Sequence, residues 1–236
     1  MEKERLLLFS GDIHGELKKI VWKVCIQLGI RNSSLIVAGD FGVGFGRPRA
    51  MDVLYGSVKR RLEEYDLTIY VVRGNHDDPS YFDGLHDYPR VKFLRDHETY
   101  EIEGKTIYVL GGAHSIDRVS RIEEDQVAEK YGSKKRTWWK DEPIVKKYED
   151  LPEKVDIIVS HEAPLSFEPV IVRKLEDLEL WRDVLDSRSY LNHVLGEVNT
   201  DWWIHGHYHK STSGTYINTR YRGLGIEEIF CLPNEG

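Results

Sequence analysis

Short apolar runs of β-type residues recur along the chain, and each run ends in a group of polar residues and glycine. Runs of this length and composition are typical of strands that are buried on both faces of a sheet. They occupy residues 6–9, 35–38, 69–72, 157–159 and 202–204. The polar groups that follow them are therefore predicted to lie at the carboxyl ends of five strands.

Apolar positions between these runs follow the helical period of 3.6 residues. Residues 17–28 carry such a stripe, which stops at Gly29, and residues 54–65 and 175–185 carry two more. Strands that alternate with helices indicate βαβ units, in which ligands bind in the crevice beyond the carboxyl ends of the strands. The five polar groups are therefore predicted to converge on one crevice.

Other stretches depart from this alternation. Residues 91–110 consist of shorter alternating segments with a turn at residues 103–105, which predicts an antiparallel ribbon, and residues 213–232 are also of β type. Together they indicate a second sheet packed against the first. Residues 112–150 follow no simple period and are predicted to cover the crevice. No stretch has the composition of an interdomain linker, so we expect one domain over residues 1–236.

Composition and charge narrow the class of protein. The chain has 236 residues, of which 40% are hydrophobic and 31% charged, which favours a folded core over disorder. Its net charge of −7 argues against strong non-specific binding of nucleic acid. No apolar run is long enough to span a membrane, and the two cysteines, Cys25 and Cys231, suit a reducing compartment. We expect a cytoplasmic protein with no membrane partner.

The five polar groups contain residue types that bind divalent cations. Carboxylate oxygens, an amide oxygen and imidazole nitrogens suit hard and borderline ions, and the set lacks the thiolates of structural zinc sites. Two ions about 3.5–4 Å apart would use all of these side chains, provided that a carboxylate bridges the ions. Alternate residues of an extended segment point the same way, so His207 and His209 can reach one site. The candidate ligands are Asp12, His14, Asp40, Asn75, His161, His207 and His209.

In chain order these residues form the blocks Asp-x-His, Gly-Asp, Gly-Asn-His-Asp, an isolated His and Gly-His-x-His. The chain thereby resembles the calcineurin-like metallophosphoesterases from residue 6 to about residue 209. The resemblance implies an α/β fold, a four-layer αββα sandwich in which two mixed β-sheets are flanked by helices. It also implies that His76 is the catalytic histidine beside the phosphate. The metal ligands that it implies are Asp12, His14, Asp40 and His209 for one ion, and Asp40, Asn75, His161 and His207 for the other.

Two further features refine the resemblance. Residues 111–118 and 138–142 resemble a subgroup found in bacteria and phages, and the first block is also similar to that of Ser/Thr protein phosphatases. The second block differs from theirs, because Val43 and Gly44 stand where those enzymes have an orienting acid and a phosphate-binding arginine. A guanidinium can grip phosphate oxygens bidentately, so Arg118 and Arg73, with Arg47 as a further candidate, are predicted to replace the missing donor.

The function implied by the resemblance is hydrolysis of a phosphoester by in-line attack of a hydroxide that bridges two divalent ions. We expect manganese, with iron, zinc or nickel as alternatives. A phosphomonoesterase acting on a small molecule, a nucleotide or a phosphoprotein is favoured, and a phosphodiesterase or nucleotide hydrolase would use the same site. The alternative of another class is a non-catalytic binding scaffold, which should have lost ligands, whereas every ligand position is filled here.

Overall fold

Two β-sheets stack face to face in the computed structural model, which describes residues 5–45, 49–134, 136–167 and 177–233. In chain order the strands are β1 (Leu6–Ser10), β2 (Ser33–Val37), β3 (Leu67–Val71), β4 (Val91–Phe93), β5 (Thr99–Ile102), β6 (Lys105–Leu110), β7 (Lys154–Ser160), β8 (Asn199–His205), β9 (Thr212–Tyr216), β10 (Thr219–Gly223) and β11 (Ile229–Cys231). The helices are α1 (Leu17–Trp22), α2 (Ala50–Tyr65), α3 (Arg118–Lys130) and α4 (Leu178–Glu197). None of the helices in the described residues is long and apolar enough to cross a membrane.

Both sheets are mixed. The first has the order β11-β1-β2-β3-β4, in which β11 runs antiparallel to β1 and the other pairs are parallel. The second has the order β5-β6-β7-β8-β10-β9, with antiparallel pairs at its two edges and parallel pairs between them. The parallel strands of each sheet end at one edge, which brings the polar residues that follow them together.

Residues along β1 alternate between two cores, as the period of two in a strand requires. Leu7 and Phe9 pack in the layer between the sheets, whereas Leu8 packs on the outer face against α1 and α2. On the outer face of the second sheet, Trp203 of β8 packs with Leu191 of α4. The order helix, sheet, sheet, helix is the four-layer sandwich that the sequence predicts.

The structure corrects some local predictions. β4 pairs in parallel with β3 in the first sheet, so the antiparallel ribbon predicted over residues 91–110 is confined to β5 and β6. Val91 and Phe93 are buried in the core beside α2, and this packing assigns β4 to the first sheet. The first helical stripe also changes geometry, because α1 continues as a π-helical turn at Lys23–Gln27 before Gly29. Leu175, part of the third stripe, lies outside the described residues.

Candidate metal centre

The candidate ligands lie in loops that begin at the carboxyl ends of five parallel strands. Four of them have left-handed backbone conformations, with φ of 44° at His14, 49° at Asp40, 69° at His207 and 52° at His209. Such conformations are uncommon for residues other than glycine and collect at functional sites. The strands and the residues that follow them are β1 with Asp12 and His14, β2 with Asp40, β3 with Asn75 and His76, β7 with His161, and β8 with His207 and His209.

Close packing requires a glycine at position 39, in the second block. Gly39 has φ of +94°, and a Cβ atom there would lie 2.0 Å from Nδ1 of His161. That nitrogen is also 2.8 Å from the carbonyl oxygen of Ala38. The imidazole of His161 is therefore pressed against the backbone between β2 and Asp40, which fixes the direction of its other nitrogen toward the crevice.

One cluster consists of Asp12, His14, Asp40 and His209. One potential ligand atom from each of them lies within 4.8 Å of the others. Nε2 of His209 lies 3.0 Å from Nε2 of His14 and 3.0 Å from Oδ2 of Asp12. This is the set of residues that the resemblance assigns to the first ion.

A second cluster lies on the other side of Asp40. Nε2 of His161 is 3.3 Å from Oδ1 of Asp40 and 2.9 Å from Oδ1 of Asn75. The ring of His207 lies beside that of His161, with their centroids 4.9 Å apart. The backbone N–H of His207 donates to Oδ1 of Asp12, which links the two clusters.

Asp40 is the side chain common to both clusters. Its Oδ1 faces His161 in the second cluster, whereas its Oδ2 lies 3.9 Å from Nδ1 of His14 in the first. The backbone N–H of His76 donates to Oδ1 and holds the carboxylate in this orientation. A carboxylate whose two oxygens face different groups of ligands is arranged as a bridge between cations.

The buried carboxylate of Asp12 also fits cation binding. Its Oδ2 is buried and makes no hydrogen bond of standard geometry with a described residue, although Nε2 of His209 lies 3.0 Å away. A buried carboxylate is costly unless its oxygens are compensated, and a divalent ion would compensate them. The residues present therefore fit divalent cations in donor type.

Burial and charge act on the titration of these groups in opposite directions. Burial disfavours the charged forms of Asp40 and His161, but their mutual attraction is stronger, so the pKa of Asp40 lies below its usual range and the pKa of His161 above it. Burial, followed by the charge of His161, lowers the pKa of His207 to about 3. His207 is therefore neutral near pH 7, as a metal ligand must be.

His76 lies beside both clusters without belonging to either. Its Nε2 is 3.8 Å from Oδ2 of Asp40, and its ring is 6.0 Å from Phe45 in an edge-to-face arrangement. Burial lowers the pKa of His76, opposed by the charge of Asp40. Asp77, the next residue, does not orient this imidazole, because its carboxylate accepts from the backbone N–H groups of residues 41–43 and 74.

A comparison of the sequence with family models identifies the family of the chain. The family model described as calcineurin-like phosphoesterase matches residues 6–211. The chain belongs to the calcineurin-like phosphoesterase family. The match covers every strand-end group of the candidate metal centre, as well as strands β1 to β8.

Solved structures resemble this phosphoesterase only distantly, and no protein with a curated function matches its sequence. The phosphopantetheinyl hydrolase PptH of Mycobacterium tuberculosis is 16% identical with a TM-score of 0.49, over 96% of this chain and 92% of that one. A Staphylococcus aureus protein described as a 5′-nucleotidase, in complex with α-ketoglutarate, is 15% identical with a TM-score of 0.41. That match covers 94% of this chain and 49% of the other.

The structure gives the predicted phosphate-binding arginines other roles. Arg73 is 3% exposed, and its guanidinium donates to Asp96 and to carbonyl oxygens of residues 111 and 141–143, so it holds loops together instead of facing the crevice. Arg118 at the start of α3 donates to Asp183 of α4. Arg47 lies outside the described residues.

Among the described residues, Arg121 is an arginine of the crevice that the sequence prediction did not name. It lines a cavity together with His14, His76 and His209, and its charge contributes to the lowered pKa of His76. Asp117 accepts a hydrogen bond from its Nε at 2.8 Å. Arg121 lies one helical turn after Arg118 on a similar side of α3, and the contacts of the two side chains differ, since Arg118 pairs with Asp183 whereas Arg121 lines the cavity.

Two buried carboxylates support the candidate ligands from behind. Nδ2 of Asn75 donates to the hydroxyl of Ser115, which donates in turn to Glu142, and burial raises the pKa of Glu142 to about 7. Glu162 accepts from the hydroxyl of Tyr208, and its Oε2 lies 3.9 Å from Nε2 of His207. Partners of this kind fix the orientation of metal ligands. The position of Glu162 directly after His161 is the one sequence signal that could have indicated such a role.

Proposed function

We propose that this chain is a dinuclear metal-dependent phosphoesterase. Asp12, His14, Asp40 and His209 would hold one divalent ion, and Asp40, Asn75, His161 and His207 the other. The observation that carries the proposal is the position of Asp40, whose two carboxylate oxygens face the two groups of donors. The oxygen and nitrogen donors suit manganese, with iron, zinc or nickel as alternatives.

Bound divalent cations would neutralise phosphate charge and acidify a water for attack on phosphorus. His76 stands beside this position and would protonate the leaving oxygen, since its imidazole is held between Phe45 and Asp40 without a direct role in either cluster. Asn75 would fix a phosphate oxygen with its amide, which Ser115 orients. Arg121 would supply the guanidinium that the second block lacks.

A phosphomonoester is the favoured substrate class. A monoester carries a second negative charge that a diester lacks, and Arg121 places an additional cation in the cavity beside His76. A phosphodiester or a nucleotide would use the same metal centre. The scaffold alternative is disfavoured because a scaffold has no need of buried carboxylates grouped with histidines, as Asp12 and Asp40 are with His209.

Substrate profiling with metal reconstitution tests this proposal. Protein stripped with a chelator would be loaded with manganese, iron, zinc or nickel and assayed with p-nitrophenyl phosphate, bis(p-nitrophenyl) phosphate and a nucleotide. We expect no activity without metal, the highest activity with manganese, and faster hydrolysis of the monoester than of the diester. Protein that binds two ions but hydrolyses none of these esters would support a non-catalytic scaffold instead.

The proton on His161 gives this experiment a pH dependence. A metal ion can bind the imidazole only after that proton leaves. Because the pKa of His161 is raised, protons compete with the metal ion for this nitrogen, and the competition grows as pH falls. Metal affinity is therefore expected to weaken steadily from about pH 8 to pH 6, measured by metal titration at fixed pH.

A further inference from the structure

A cavity of about 320 Å³ opens directly beside the candidate metal centre. Its metal-facing wall consists of His14, His76 and His209. Apart from Arg121, the other lining side chains are apolar and include Phe45 and, from the first two turns of α2, Met51 and Leu54. The cavity thus has one end suited to a phosphate and one end suited to a group without charge.

The apolar wall follows from the packing of α2. Met51 is 3% exposed and belongs to the core beside the first sheet, and Leu54 packs against the same core, so the helix presents the face between them to the cavity. Ala50 leaves space at the helix start because its side chain is only a methyl group. These side chains offer almost no hydrogen-bonding groups, so a hydrated polar group would lose its bonds to water on entering.

The position of Phe45 in the cavity lining favours a flat or slender group. The ring of Phe45 stands edge-to-face to His76 and lies 6.3 Å from Trp139. The guanidinium of Arg121 lies 5.7 Å from the centroid of the same ring. Phe45 is thereby held between α3 and His76, where it can lie against a substituent on the oxygen that His76 protonates.

We infer that this cavity binds the organic group of the substrate, and that this group is apolar, either a single aromatic ring or a short alkyl chain. The inference rests on the proposed function, because it places the leaving oxygen at His76. A cavity of roughly 150 Å³ is known to hold benzene, so the observed volume admits such a group. The substrate class is therefore an aryl or alkyl phosphomonoester, in preference to a sugar phosphate.

A series of n-alkyl phosphates from methyl to hexyl tests the size and polarity of the cavity, since the alcohols released have nearly equal pKa values. Each added methylene is expected to raise kcat/KM about two- to fourfold until the cavity is filled. Hydrolysis at rates that do not depend on chain length would overturn the inference and leave the proposed function intact.

Two substitutions on α2 localise the effect. Ala50→Phe fills the cavity and should reduce the hexyl-to-methyl ratio of kcat/KM to near one. Val53→Phe is the matched control, because Val53 lies on the same helix but is 72% exposed and outside the cavity. If both variants keep the ratio of the unmodified protein, the apolar group binds elsewhere and the inference fails.

Binding of n-alkylphosphonates, which cannot be hydrolysed at the C–P bond, provides a readout that does not depend on turnover. Calorimetry with manganese-loaded protein should show Kd falling about two- to fourfold per methylene. If no ester is hydrolysed, the proposed function fails, and the phosphonate series still decides the cavity. A Kd that is equal for methyl- and hexylphosphonate would overturn the inference that the cavity binds an apolar group.

Discussion

The candidate metal centre and helix α3, in the segment over residues 112–150, are held by different kinds of interaction. Asp12, Asp40, Asn75 and His161 are at most 1% exposed and directly follow strands whose side chains form the core. Helix α3, by contrast, has no buried residue and is attached by polar contacts, such as those of Asp125 with the backbone and hydroxyl of Thr137. Metal binding should therefore be robust to changes in the segment, whereas substrate handling should not.

The two regions meet at a small number of residues. Ser115 of the segment contacts Asn75, and Arg121 of α3 lies in the cavity beside His76. The difference teaches that the candidate ligands are built into the strand ends, whereas Arg121, the proposed phosphate-binding residue, comes from a helix with no buried residue. Each prediction below tests one side of this division.

Asp40→Asn is expected to have the largest effect, because it weakens the carboxylate that the two clusters share. Metal content and kcat should fall together, with the rate reduced about 10³-fold or more. Metal analysis and turnover on the same sample provide the measurement. Asp201→Asn, at an exposed position of β8, is the matched control and should behave as the unmodified protein. Equal metal loss in both variants would contradict the assignment of the crevice.

His76→Asn should separate chemistry from metal binding. General acid catalysis contributes typically about 10²–10⁴ in rate, and p-nitrophenolate needs little protonation whereas an alkoxide needs nearly all of it. The variant should keep both ions and lose far more activity on alkyl phosphates than on the p-nitrophenyl ester, under conditions where chemistry limits the rate. The matched control is the exposed His86, changed to Asn. Equal losses on both esters would assign His76 to phosphate binding.

Ser115→Ala tests whether the segment reaches the metal centre as the contacts indicate. The amide of Asn75 would lose its acceptor, and loss of such a supporting contact typically costs about 10–100-fold, which we expect here in activity while metal content is kept. Ser115→Thr keeps a hydroxyl and should restore most of the activity. Ser120→Ala, which changes an exposed serine on α3, controls for the loss of a serine hydroxyl elsewhere in the segment. A full loss of metal in the alanine variant would show that the division between the two regions is wrong.

Glu142→Gln should have the smallest effect, seen in the pH dependence of stability. Burial raises the pKa of Glu142 from 4.5 to about 7, so the folded state holds this proton more tightly than the unfolded state. The stabilising contribution of this proton is complete below pH 4.5 and is lost as pH rises through about 7, by on the order of 3 kcal/mol. The free energy of unfolding, measured by urea denaturation of metal-free protein, should fall less between pH 5 and pH 8 for Glu142→Gln than for the exposed control Glu124→Gln. Equal falls would contradict the raised pKa.

The fold and the candidate ligands could be predicted because both depend on local patterns. A strand buried on both faces has a continuous apolar run, and a ligand follows it directly, so residues such as Asp12 and Asp40 stand out in the sequence. The roles of Arg73 and Arg121 could not be predicted, since they depend on which way a loop and a helix face in three dimensions. The antiparallel ribbon predicted for β4 was wrong for the same reason, because packing beside α2 outweighs the short alternating pattern of this strand.

Metal stoichiometry tests the central claim most directly. Protein stripped with a chelator and titrated with manganese would be analysed for metal by elemental analysis, with turnover measured on the same samples. The account predicts two ions per chain, with full activity only when the second is bound. Full activity with one ion, or with none, would contradict it.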